Sequence, residues 1–244
     1  MGTSIAICKR ELRAYFTTPL AYVFIVIFVA LNGATTFFFG GLFDRGQADL
    51  QPLFGFIPWL YLILIPAVSM RLWAEERQTG TLEMLMTLPI STTQAVLGKF
   101  MAAWVFTGVA LLLTFPIWIT VNYLGNPDNG VIIASYLGGL LMAGSYLAIG
   151  GFVSAMTRNQ VIAFVIGAAV IFLFMMSGLE LVYSAFQGWT PDIVVDLIQS
   201  FSFLVHYDSI VRGMIDIRDL IFFLSVMGVF LFANVVVVDL KRGA

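Results

Sequence analysis

Few side chains in this sequence are of a type and spacing that could do chemistry. There is one histidine, His206, and one cysteine, Cys8. A single cysteine closes no intrachain disulfide, and one histidine with one cysteine is a poor basis for a protein-only zinc cage, which takes four ligands. No paired carboxylates lie within the apolar stretches, so no nucleophile–base pair can be assembled. No GxxxxGK[ST] string is present, and the chain therefore has no phosphate-binding loop of that kind. His206 is a candidate ligand or proton carrier, but the favoured reading is a packed residue supporting a cap. Glu180 stands near the end of an apolar run. An acid inside a membrane span is a functional hypothesis by default, while one at a helix end can reach the headgroup layer, and the second reading is preferred.

The densest charge lies in segment 71–94, with Arg71, Glu75, Glu76, Arg77 and Glu83. Thr79 or Thr81 could cap a short helix whose apolar face is Leu82, Leu85, Met86 and Leu88, and Pro89 would end it. Such a helix suits docking into a groove on another protein. It also suits a plain position in the membrane interface, and the residues alone leave both readings open.

The elements that must carry these residues follow from composition. Hydrophobic residues make up 60% of the 244 and charged residues 11%, against about a quarter charged in soluble domains. Mean hydropathy is +0.98. So much apolar surface cannot be hidden inside one small chain, so the bilayer is its solvent. Net charge is -2, and no basic patch suggests nucleic acid. Six apolar runs are long enough to span: 20–42, 53–72, 95–122, 131–156, 160–183 and 219–239. Runs this long satisfy their backbone in lipid only as helices. Pro58, Pro66 and Pro116 are expected to kink spans 2 and 3. With the N-terminus in the cytoplasm, nine Lys and Arg fall inside and three (Arg45, Arg212, Arg218) outside. The inside set includes Arg158 in the short turn after span 4. The bias sets both termini in the cytoplasm.

Residues 1–19 read as an interfacial amphipathic helix rather than a cleaved signal. Ile5, Cys8, Leu12, Tyr15 and Phe16 share one face, with Lys9, Arg10 and Arg13 mostly opposite. Between spans 5 and 6, residues 184–218 are too polar to cross and are expected to form a short external helical pair. One helix would start at Thr190-Pro191-Asp192, and a second after Asp208. Asn32, Asn122 and Asn234 are candidates for interhelical hydrogen bonds, and Gly138, Gly139, Gly144, Gly150 and Gly151 for close helix approach. Trp59, Trp73, Trp118 and Trp189 fit an interfacial belt.

The string Glu75-Glu76-Arg77-Gln78-Thr79-Gly80-Thr81-Leu82-Glu83, followed by Leu88-Pro89, resembles the signature of ABC transporter type 2 permeases. The opening Arg10-Glu11 to Tyr22 and the stretch Phe203 to Asp219, with His206, Gly213 and Asp216, resemble the subgroup related to gliding-motility and nitrous-oxide-accessory permeases. The resemblance implies a six-span all-α permease domain over 1–244 in the bacterial cytoplasmic membrane. It implies that segment 71–94 couples to an ABC ATPase dimer through Glu75, Glu76, Arg77, Thr79, Gly80, Thr81, Leu82, Glu83, Leu85 and Arg158. His206, Gly213 and Asp216 would form the external cap. The implied partners are a second permease copy or related membrane subunit, and a possible subunit with a large external domain. No cofactor is expected on this chain, with ATP and Mg on the ATPase. The function expected is that of an exporter permease. The alternative is a secondary transporter or channel, which would need intramembrane charges or an inverted repeat; little of either is visible.

Overall fold

The computed structural model describes residues 2–80, 90–179 and 198–241. Among them the regular structure is all helical. Helix α1 (Gly2–Thr17) closes on two hydroxyls, Thr17 donating to the Ala14 carbonyl at 2.9 Å and Thr18 to that of Tyr15 at 2.8 Å. Pro19 then opens α2 (Pro19–Ala34), and Thr18 before it is extended (φ -99°, ψ 137°), as the residue preceding a proline must be. Helix α2 runs on through a π-helical turn, Thr35–Phe39.

Helix α3 (Gln51–Ser69) contains Pro58 and Pro66. The short α4 (Ala74–Thr79) stops at Gly80, whose φ of 73° is left-handed and so favours glycine. Helix α5 (Thr92–Leu112) starts at a capping box in which Ser91 and Gln94 each accept the other's backbone N–H at 3.2 Å. The chain breaks at Leu113–Thr114, and Pro116 lies in the first turn of α6 (Phe115–Leu124). Proline belongs there because its missing N–H would be unpaired anyway. Expected span 3 is therefore two helices rather than one kinked helix.

Asp128, Asn159 and Asp216 cap the three remaining long helices: α7 (Asn129–Met156), α8 (Gln160–Met176) and α10 (Ile217–Leu240). Between the last two lies α9 (Phe203–Val211), capped by Ser202. This corrects the expectation of a helix after Asp208: the cap lies earlier, Asp208 is inside the helix, and the chain turns at Gly213. The helix expected at Thr190-Pro191-Asp192 lies outside the described residues.

Helix α7 is the axis of the bundle, touching α3, α5, α8, α9 and α10. Its small residues permit this. A methyl group on Gly150 would collide with the Ser69 hydroxyl of α3, and one on Gly144 would lie 2.5 Å from the Met227 sulfur of α10. Helix α2 is peripheral and largely unburied.

Five stretches are long and apolar enough to cross a bilayer: Ala21–Phe39, Gln51–Thr79, Thr92–Leu124, Asn129–Met156 and Ile217–Leu240. Helix α8 is apolar over 17 residues, roughly 25 Å at 1.5 Å per residue, and the end of expected span 5, with Glu180, lies outside the described residues. The chain is an all-α membrane protein.

Two side-chain expectations change with the packing. Asn122 on α6 exchanges hydrogen bonds with Asn129 on α7, both at 3.1 Å. Asn32 instead accepts from Thr36 one turn along its own helix. Trp73 is no belt residue: it is 1% exposed, in the core.

Candidate functional site: an ion node at one end of the bundle

The residues of segment 71–80 sit where α1, α3, α5, α7 and α10 all end or begin. Lys99 is at the centre. It lies in the second turn of α5 with its side chain 3% exposed, and its Nζ stands 2.7 Å from Glu76 Oε1 of α4 and 3.4 Å from Glu11 Oε2 of α1. The Trp73 ring supplies a face to the same ammonium, 5.4 Å from its centroid. Arg10 pairs with Glu11 at 2.7 Å from the exposed side. One buried cation therefore joins three helices.

Helix α1 reaches Lys99 because α5 has a glycine next to it. Ile7 fills the space that a Cβ on Gly98 would occupy, 2.7 Å away. Further along, Tyr15 stacks on Phe106 at 5.1 Å between ring centroids. The apolar face of the amphipathic helix is thus turned onto α5, and the same rotation brings Glu11 to Lys99. Burial pushes the Glu11 carboxyl up, but the charge of Lys99 and the hydrogen bond and charge of Arg10 outweigh it, leaving the group below its ordinary value.

Segment 71–80 is bound to α7 by its backbone. The Trp73 and Ala74 N–H groups both donate to Ser154 Oγ at 3.1 Å, and that hydroxyl donates to the Met70 carbonyl at 2.8 Å. Arg77 donates to the Ala155 carbonyl at 2.9 Å. Lys241, just past α10, donates to the carbonyls of Ala155 at 3.2 Å and Met156 at 2.6 Å. These are carbonyls of the last turn of α7, which have no partner within their own helix, and cations are favoured at that negative helix end. Thr92 at the start of α5 bonds Asp239 near the end of α10. Lys241 titrates below its ordinary value. Burial is the main cause, and the nearby charges of Arg77 and Arg158 add to it. The end of α7 therefore carries a cluster of three cations.

The residues singled out in the sequence separate by role. Glu76 and Arg77 are held inside the node, while Glu75 is exposed. Thr79 turns its hydroxyl back to the Glu75 carbonyl at 2.9 Å, and Gly80 makes the turn that ends α4. Arg158 joins the cation cluster. Thr81, Leu82, Glu83 and Leu85 lie outside the described residues. Lys99, Glu11 and Ser154 were not singled out. Lys99 had one signal, a lysine several residues inside an apolar run. Ser154 had none, because its role depends on which backbone α7 meets.

At the opposite end, Asp216 caps α10 by accepting from the Arg218 N–H at 3.0 Å. Gly213 turns the chain with φ 83° against Val131. His206 Nδ1 is 2.6 Å from Asp219 Oδ1, and Nε2 is 3.0 Å from the Ser200 carbonyl. The carbonyl can only accept, so the Nε2 contact is one in which the ring donates. The His206 ring stacks on Phe222 at 4.1 Å between ring centroids. Among the described residues no group of three or more His, Cys, Asp or Glu is placed to hold a metal ion.

Comparison with known proteins adds one finding. The sequence model of a family described as "ABC-2 family transporter protein" matches residues 5–238. No curated protein matches the chain.

Proposed function

Because the chain belongs to the ABC-2 family of transporter proteins, and is thus a multi-pass permease of the ABC transporter class, we propose that it is the membrane subunit of an ATP-driven exporter. A separate ATPase dimer, binding ATP and Mg, drives it. Two copies, or one copy and a related membrane subunit, enclose the path. The cargo is apolar or amphipathic, in keeping with spans that carry little charge. The gliding-motility and nitrous-oxide-accessory subgroup, with a partner bearing a large external domain, is part of this proposal. So is orientation: the Lys and Arg bias puts the ion node and both termini on the cytoplasmic face of a bacterial inner membrane.

The observation that supports this best is the Glu11–Lys99–Glu76 triad together with the Ser154 and Arg77 bonds. They tie α4 to the ends of α1, α5 and α7, with α10 joined through Lys241. A push delivered to residues 75–88 would reach all of these helices rather than bend a free loop. ATP-driven closure of the ATPase pair would rock the bundle between inward and outward access.

The test uses the tagged chain purified with the ATPase that accompanies it. Glu75→Lys reverses an exposed charge and is expected to uncouple ATP hydrolysis from transport while the complex stays folded. Full transport by this variant, or a native complex with no ATPase in it, would overturn the assignment. Transport in liposomes by this chain alone would favour a secondary transporter.

A further inference from the structure

Two cavities meet beside the ion node and share three residues, Tyr15, Thr18 and Arg71. The first, about 180 Å³, is lined by charged groups and is completed by Glu11, Glu75 and Lys99 among others. The second, about 210 Å³, is an apolar slot between α2 and α3, lined by residues such as Phe24, Ile27, Leu64 and Ala67. From Ala21 to Ile27 it follows α2 for six residues, roughly 9 Å at 1.5 Å per residue. Its outer edge is open, since Val23 and Ile27 are 52% and 42% exposed. The combined crevice thus has a charged head at the level of the node and an apolar tail along the bundle, open sideways to the bilayer.

The charges in the head specify its occupant. Lys99 is already engaged by Glu11 and Glu76, and Glu11 by Arg10. That leaves Arg71 and Glu75. Neither forms an ion pair among the described residues, and the Arg71 Nε is buried with no hydrogen-bond partner there. One guanidinium and one carboxylate, unspent and in one chamber, complement a headgroup with one phosphate and one ammonium. A guanidinium suits a phosphate by shape and charge. A primary ammonium can donate to the carboxylate, whereas a choline cannot. A purely anionic headgroup would leave Glu75 facing a like charge.

We propose that this crevice is a binding site for an aminophospholipid of the phosphatidylethanolamine type, with its phosphate on Arg71, its ammonium on Glu75 and one acyl chain in the slot between α2 and α3. The lipid enters sideways from the leaflet and packs α1, α2 and α3 together next to the Glu11–Lys99–Glu76 triad. The site needs neither an ATPase nor a second copy of the chain, so it stands apart from the exporter reading.

The experiment uses the full chain alone, in nanodiscs of defined lipid, with native mass spectrometry counting the lipids retained after release. Phosphatidylethanolamine is expected to be retained about tenfold better than phosphatidylcholine or phosphatidylglycerol, the equivalent of one charge-assisted hydrogen bond. Arg71→Gln is expected to lose that retention, and Glu75→Gln to equalise the three lipids. Ala67→Phe fills the slot without touching the headgroup residues and is expected to lose all three. Circular dichroism melts check that each variant is folded; Glu75 is exposed, so its variant keeps the test open should Arg71→Gln fail to fold. Equal retention of the three lipids by the wild type would overturn the proposal, as would unchanged preference in Glu75→Gln. Displacement by glycerophosphoethanolamine as efficient as by the whole lipid would assign the chamber to a soluble phosphate compound instead, and would also overturn it.

Discussion

Lys99 shows how much one side chain can decide in a chain with so few charges. Its ammonium is buried, and two carboxylates and an aromatic face stand around it in place of water. Lys99→Met would take away the buried cation that Glu76 and Glu11 share, leaving Glu11 only Arg10 on its exposed side. A loss of about 3–5 kcal/mol is expected, the usual result of stranding buried charge, read as the shift of an unfolding transition in detergent. Glu11 predicts a pH dependence. Its folded value lies below the ordinary one of about 4.3, so its contribution to stability is complete above that value and is lost as pH falls through the lower, folded value. Thermal melts between pH 7 and pH 3 are expected to show a steeper acid loss for the wild type than for Glu11→Gln. Equal slopes would remove Glu11 from the node. At the other end, Asp219→Asn withdraws the carboxylate that His206 faces and is expected to cost about 1.5–3 kcal/mol.

At the scale of elements, α4 is too short to be stable alone and is held by its neighbours. Ser154→Ala would leave the buried Trp73 and Ala74 N–H groups without an acceptor, at about 1–3 kcal/mol each. Faster amide hydrogen exchange over 73–79, with α9 unchanged, is the expected result. The crossing of α3 and α7 depends on Gly150. Gly150→Val is expected to destabilise by about 1–3 kcal/mol through overpacking, whereas Gly228→Ala on α10 meets nothing within 4 Å and is expected to leave the melting temperature unchanged or raise it. The break between α5 and α6 was half legible. Pro116 announced an interruption, but a proline at a helix start and one that kinks a helix read alike until the turn before it is known.

For the whole molecule, charge collects at the two ends of the bundle, and the ends differ. One carries Lys9, Arg10, Arg13, Arg77, Lys99, Arg158 and Lys241 around a node that ties helices together; the other carries aspartate caps and the His206–Asp219 pair. Residue order alone places the chain in a bilayer, makes its regular structure helical and locates most of the spans. Apolar length and Lys/Arg bias are properties of the chain in order, and neither needs a partner to be visible. It also marked segment 71–94, because charge is conspicuous in so apolar a chain. Which of those charges are spent inside and which remain outward follows from the packed bundle. Pairing depends on which helix ends meet: Glu11 and Lys99 are far apart in the chain, and a glycine at 98 with an isoleucine at 7 brings them together. Trp73 left the expected belt for the core for the same reason, since the site of an aromatic ring is set by the helices that close over it.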